Sequence, residues 1–190
     1  MKRLAILGAG GHGKVVADIA ELSGYNEVVF FDDNFPDINT IGVWPVLGDT
    51  NALISRVSEF DGCIVAIGNN SIRLNKAYDL MGNGAKLVNL IHPSSVISSY
   101  STLGVGSVVM ANAVINPFVS FGIACIVNTS ATIDHDCVIG DGVHISPGVN
   151  LAGAVTIGDQ SCIGIGVCIK PCITIGSGSC IGAGASVISN

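Results

Sequence analysis

Ile91, Ile97, Leu103, Val109, Ile115, Phe121, Val127, Ile133, Ile139, Ile145, Leu151, Ile157, Ile163, Ile169, Ile175, Ile181 and Val187 place an aliphatic or aromatic residue at every sixth position of the second half of the chain, without a slip. Two residues before each of these, from Ile97 onward, stands a small or slim residue, from Ser95, Ser101, Ser107 and Ala113 through to Ala185, with Ile173 the one larger member. A helix repeats every ~3.6 residues and a strand alternates, so neither yields a fixed period of six. An internal hexapeptide repeat does, and it specifies a β-helix. If three hexads close one triangular coil, strands hydrogen-bond to their equivalents one coil away and residues 18 apart stack. The residue at each sixth position then points inward, and the slim residue before it leaves room at the turn.

The first ninety residues follow another pattern. Lys2 to Leu7 is a short apolar strand that enters Gly8-Ala9-Gly10-Gly11-His12-Gly13, and Lys14 to Leu22 has helical spacing with Val15, Val16, Ile19 and Ala20 on one side. Gly24 closes that helix, and Glu27 to Phe31 is a second strand ending in Asp32-Asp33. A third strand, Cys63 to Ile67, leads through Gly68-Asn69-Asn70 into a helix from Ser71 to Met81, and Lys86 to Leu90 reads as a last strand before His92-Pro93. The expected organisation is a Rossmann-like α/β half domain over residues 1–90 and an all-β parallel β-helix over residues 91–190.

Residues 8 to 13 satisfy GxGxxG with an acid about twenty positions on, the dinucleotide fingerprint. Ninety residues supply only one of the two halves that a dinucleotide domain requires, so one nucleotide-sized site is expected rather than NAD. Glycine N–H groups at a helix start hold phosphate whatever nucleotide carries it. A tight strand-to-helix turn needs glycine in any case, which keeps a purely structural reading open.

The 190 residues are 49% hydrophobic, enough for a real core in one or two domains. Charged residues make up 12% and the net charge is −6, so nucleic acid and anionic membrane are excluded as expected partners. No apolar run approaches the ~20 residues of a membrane span, and the apolar opening meets glycine too early for a signal peptide. The seven cysteines are odd in number and form no CxxC pair, which favours reduced thiols in the cytoplasm. Cys125 and Cys137 occupy the slim repeat position and are expected in the core.

Gly8-Ala9-Gly10-Gly11-His12-Gly13, Phe31-Asp32-Asp33, Ala66-Ile67-Gly68-Asn69-Asn70, Leu90-Ile91-His92-Pro93, Asn128-Thr129-Ser130 and His135-Asp136-Cys137-Val138-Ile139-Gly140 together resemble the bacterial two-domain sugar acetyltransferases. That family includes the UDP-4-amino-sugar N-acetyltransferases and the sialic-acid O-acetyltransferases, and the resemblance covers essentially the whole chain. It implies left-handed winding, a homotrimer, acetyl-CoA as co-substrate, no metal, and a UDP- or dTDP-linked amino sugar as acceptor. His135 is the implied general base, and a near-neutral imidazole suits the removal of an acceptor's proton. The family places a glutamate after this histidine where the chain has Asp136, one methylene shorter. Neighbours on a flat strand point to opposite faces, so the two can meet only near a coil corner, and Asp134 is the alternative partner. The family usually continues past the repeat with a tail that is absent after Ser189-Asn190.

The resemblance assigns acetyl-CoA contacts to His144, Gly153, Ile165 and Ala183, and nucleotide-sugar contacts to Gly10, Gly11, His12, Asp32, Asp33 and Gly68. His92 is expected to be structural. Stacking by 18 puts Gly153 directly over His135, where a missing side chain would let a pantetheine arm approach the backbone. His135 and His144 are nine residues apart, half a coil, so an active site shared between subunits is expected. His144, Cys162 and Cys180 form an outward column, but a line of side chains does not converge as zinc ligands must. The expected reaction is N-acetylation of a nucleotide-linked 4-amino-4,6-dideoxy sugar. The alternatives are O-acetylation of a sugar such as sialic acid, a non-enzymatic β-helix scaffold, and an NAD-dependent oxidoreductase.

Overall fold

The computed structural model describes residues 2–189 and divides the chain into two compact units, Met1–Leu90 and Ile91–Asn190. In the first, β1 (Arg3–Leu7) lies between β2 (Glu27–Phe31) and β5 (Gly62–Val65) in an all-parallel sheet of order β2-β1-β5. Parallel strands are covered on both faces, so they read as continuous apolar runs. Leu4, Ala5, Ile6, Phe30 and Ile64 are accordingly sealed from solvent.

Helix α1 (Gly11–Leu22) forms the first crossover and buries Val16, Ala17, Ile19 and Ala20. It starts three residues earlier than the apolar spacing predicts, because the glycines that look like a loop already form its first turn. Between β2 and β5 lie a two-stranded hairpin, β3 (Thr40–Ile41) with β4 (Trp44–Pro45), and the short helix α2 (Thr50–Ser55). These elements are too short to carry a readable period. Helix α3 (Asn70–Gly82) starts at Asn69, whose side chain accepts from Ile72 N at 3.0 Å. The strand expected over Lys86–Leu90 reduces to one bridge, Cys63 with Leu87, since Leu90–Ile91 already pairs as a strand of the repeat.

The second unit is a left-handed parallel β-helix whose three sheets hold, among the described residues, six, five and six strands of two residues each. Its register is 18 throughout: Ile97, Ile115, Ile133, Leu151, Ile169 and Val187 form one inward column. From Val109 to Ile175 every sixth-position residue is buried, and Cys125 and Cys137 lie in the same core. Each such aliphatic side chain contributes roughly 1.5–3 kcal/mol by leaving water. The corners have their own period. Gly106, Asn112, Phe118, Ala124, Ser130, Asp136 and each sixth residue on to Gly184 adopt a positive φ, which turns the chain from one face to the next.

Candidate active site

Residues 134–137 form the corner between the strands Thr132–Ile133 and Val138–Ile139, which belong to two different faces of the β-helix. Asp136 occupies the left-handed corner position, with φ of +60°. That bend defeats the strand rule that sends neighbours to opposite sides, and His135 Nδ1 lies 2.7 Å from Asp136 Oδ2. A carboxylate only accepts, so the ring carries its proton on Nδ1 and leaves the Nε2 lone pair available. The hydrogen bond to Asp136 raises the His135 pKa above its ordinary value, and the charge of Asp134 raises it further.

Asp134 occupies the other side of the ring. Its Oδ1 accepts from His135 N at 2.8 Å and from Asn116 Nδ2 at 2.9 Å, while its Oδ2 stands 3.9 Å from His135 Nε2. Asn116 is one coil away, so the carboxylate is held from its own corner and from the neighbouring turn. These bonds, that to Asn116 foremost, lower the Asp134 pKa. All three side chains of the His135 corner remain about half exposed, as a group that meets substrate must be.

Gly153 stacks on His135, as spacing predicts, but the space it vacates is filled from within the chain. A Cβ there would lie 2.6 Å from His135 Cε1 and 2.7 Å from Nε2. The glycine makes room for the imidazole itself.

His144 begins a strand of the third face, where its Nε2 accepts from Asn128 Nδ2 at 3.1 Å. Cys162 and Cys180 follow it in register. Ile165 is 61% exposed on the corner leading from that face to the first, and Ala183 lies one coil beyond it. One chain therefore brings Gly153 to His135 and keeps His144, Ile165 and Ala183 on other parts of the perimeter. His92 is engaged locally, its Nδ1 accepting from Ser94 N at 3.0 Å.

In the first unit, a cleft of about 370 Å³ opens at the carboxyl ends of the three parallel strands, where the connection after β1 runs to β2 on one side and the connection after β5 runs toward the Leu87 bridge on the other. Open α/β sheets bind ligands at such a switch point. Gly10, Gly11, His12, Asp32 and Gly68 all line it, and an adjoining hollow adds Asp33, Asn34 and Ile72. Its glycines differ in kind. Gly8 has φ of +114° and a Cβ there would meet Ala66 O at 2.9 Å, so the fold demands glycine. Around Gly10, Gly11 and Gly68 an added Cβ would meet nothing within 4 Å. No side chain caps α1 at Gly10, so its start faces the cleft as backbone.

The two acids shape the cleft as well as lining it. Asp32 Oδ2 accepts from Ala9 N at 2.7 Å and Oδ1 from Asn34 N at 2.9 Å, tying the glycine turn to the end of β2. Asp33 accepts from Lys76 Nζ at 2.8 Å and Thr50 Oγ1 at 2.6 Å, and Lys76 foremost holds its pKa down to about 2. Arg73, 1% exposed, donates to Ile67 O at 3.0 Å and Gly68 O at 3.1 Å and so fixes the third edge. Sequence reasoning missed Arg73 and Lys76, which look like solvated residues of a helix. It also missed Asn116, although its spacing of 18 from Asp134 marks the contact.

Residues 3–80 match the family described as the PglD N-terminal domain. The chain is 37% identical over 114 residues, 58% of its length, to UDP-N-acetylbacillosamine N-acetyltransferase of Bacillus subtilis (strain 168), and spans about half (52%) of that relative. The acetyltransferase domain of PglB from Neisseria gonorrhoeae FA1090, solved in complex with acetyl coenzyme A, superposes with a TM-score of 0.92 at 43% identity, over 98% of this chain and 92% of that one. A histidine-to-asparagine mutant of perosamine N-acetyltransferase from Caulobacter crescentus, in complex with CoA and GDP-perosamine, gives a TM-score of 0.93 at 36% identity, over 100% of this chain and 90% of that one. The chain belongs to the hexapeptide-repeat family of sugar N-acetyltransferases.

Proposed function

We propose that this protein transfers the acetyl group of acetyl-CoA to the C4 amine of a nucleotide-linked 4-amino-4,6-dideoxy sugar, with His135 as general base. The observation that carries the reading is the His135 corner: an imidazole fixed through Nδ1 by Asp136, with Nε2 free to accept a proton at an exposed site. The relatives named above act on, or are complexed with, nucleotide-linked amino sugars, acetyl coenzyme A or CoA, which supports both substrates.

The chemistry balances without a covalent enzyme intermediate. The neutral amine attacks the thioester carbonyl, a C–N bond forms, and the nitrogen gives a proton to His135 Nε2. The C–S bond then breaks with its electron pair going to sulfur, and the imidazolium returns the proton to the departing thiolate. Asp136 stabilises the imidazolium and holds the ring. In the first unit, backbone N–H groups at the start of α1 suit a diphosphate, and Asp32 and Asp33 suit ribose or base donors. A base at one corner and His144 on the third face fit a coenzyme bound between copies of the chain in a trimer.

Thiol release from acetyl-CoA is the test, with UDP-, dTDP- and GDP-linked 4-amino sugars and free sialic acid as acceptors. Release with an amino sugar, lost by about 10²-fold or more in a folded His135→Ala variant, is the expected result. Release only with sialic acid overturns the amine assignment, and full activity in the variant overturns the base. Mixing inactive His135→Ala and His144→Ala chains should restore part of the activity, and no recovery would refute the shared site.

A further inference from the structure

Asp134 has no part in the proton transfer outlined above, yet its position is over-determined. One of its oxygens is held twice, by its own corner's His135 N and by Asn116 of the neighbouring coil. The other, Oδ2, stands 3.9 Å from His135 Nε2, the atom that receives the substrate's proton. Asp136 is committed to the opposite ring nitrogen. The ring is thus flanked by two carboxylates with different surroundings, and only Asp134 offers an oxygen on the reacting side.

Two acceptors 3.9 Å apart can both be reached by one tetrahedral nitrogen making hydrogen bonds of about 2.9 Å. An alkyl amine is largely an ammonium at neutral pH. An ammonium or amine has N–H donors for both acceptors, whereas a hydroxyl has one proton and can satisfy only one of them. An unmet carboxylate beside a hydroxyl also faces lone-pair repulsion.

We propose that Asp134 is the acceptor-positioning residue of the site: its Oδ2 holds the substrate nitrogen beside His135 Nε2 and selects an amine over a hydroxyl. The inference rests on the acetyl-transfer reading and adds to it the group that distinguishes N- from O-acetylation. The sugar arrives as the ammonium, hydrogen-bonded to Asp134, and releases one proton to solvent. Asp134 keeps one N–H in place as the lone pair turns to the thioester, and His135 takes the second proton as the C–N bond forms. Asp134 stays ionised throughout, so its part is orientation and charge.

Asp134→Asn separates this role from a structural one, since the amide oxygen can still accept from Asn116 and His135 N while only Oδ2 changes to a donor. Binding to the full-length protein is measured by calorimetry for a UDP-linked 4-amino-4,6-dideoxyhexose and for its 4-hydroxy counterpart, with thiol release measured in parallel. The wild type should bind the amine about 10-fold more tightly than the alcohol, and Asp134→Asn should bring that ratio close to one. In turnover the loss should fall on KM for the sugar and leave KM for acetyl-CoA in place, with a melting temperature matching the wild type. An unchanged amine-to-alcohol ratio in the variant, or equal binding of the two sugars by the wild type, overturns the proposal and leaves the acetyl-transfer reading intact. A wild type that binds the sugars but releases no thiol with any of them overturns both.

Discussion

The glycine turn of the first unit and the His135 corner of the second both depend on glycine, but for opposite reasons. At Gly10, Gly11 and Gly68 the missing side chain leaves open space over backbone that faces a cleft. At Gly153 the space is already taken, because the imidazole of His135 lies where a Cβ would be. The first arrangement keeps room for something that is not protein; the second positions a reactive side chain of the protein itself. Within the turn the same division recurs, since Gly8 is required by a positive φ and by the carbonyl of Ala66. A glycine motif is therefore a mixture of fold and site, and only the surroundings of each residue separate them.

The largest effect should come from the turn. Gly8→Ala must adopt φ of +114° and push against Ala66 O, a combination of backbone strain and overpacking worth about 2–5 kcal/mol. Gly10→Ala meets no neighbour and sits at an extended φ of −97°, so it should cost about 1 kcal/mol or less. Its effect should instead appear as a roughly 10-fold rise in KM for the nucleotide sugar, about 1.4 kcal/mol of binding. Urea denaturation and steady-state kinetics on both variants refute this division if Gly8→Ala is as stable as the wild type or Gly10→Ala binds normally.

At the other region, Gly153→Ala tests whether the glycine serves His135. The new methyl would displace the ring from Asp136 and from Asp134 while leaving the buried columns untouched. A misplacement of about 1 Å at a reacting group costs on the order of 10²-fold in rate. The expected variant therefore keeps its melting temperature within a few degrees and loses about 10² in kcat/KM. A loss confined to KM for acetyl-CoA would return Gly153 to the role of a coenzyme contact alone.

The two regions were also unequally legible. In the β-helix the period of six and its multiple of 18 turn sequence separation into distance, so the stacking of Gly153 on His135 could be read directly, and Asn116 with Asp134 was available by the same count. The first unit has no such ruler. Strands β1 and β2 and the glycine turn carry local signals, but Arg73 reaches Ile67 and Gly68 from inside a helix, and Lys76 meets Asp33 across 43 residues. Nothing in the local pattern distinguishes these two cations from solvated ones. Their partners follow from tertiary packing alone, and the same holds for the short hairpin and α2.

The smallest effect should follow from Asp136→Asn, and its sign is the informative part. The hydrogen bond to Asp136 is the main reason that the His135 pKa lies above its ordinary value. A general base works in its neutral form, so kcat/KM rises with pH through that pKa and then levels. Replacing the carboxylate by an amide removes a negative charge that stabilises the imidazolium, so the rising limb must move to lower pH. The amide oxygen can still accept from Nδ1, which preserves ring orientation and limits the loss on the plateau to about 10-fold, the consequence of a weaker base. A pH–rate profile for both proteins with a nucleotide-linked amino sugar reads both quantities. If the limb does not move, the raised pKa belongs to Asp134 instead. The acceptor-side carboxylate would then set basicity, and the corner residue would only hold the ring.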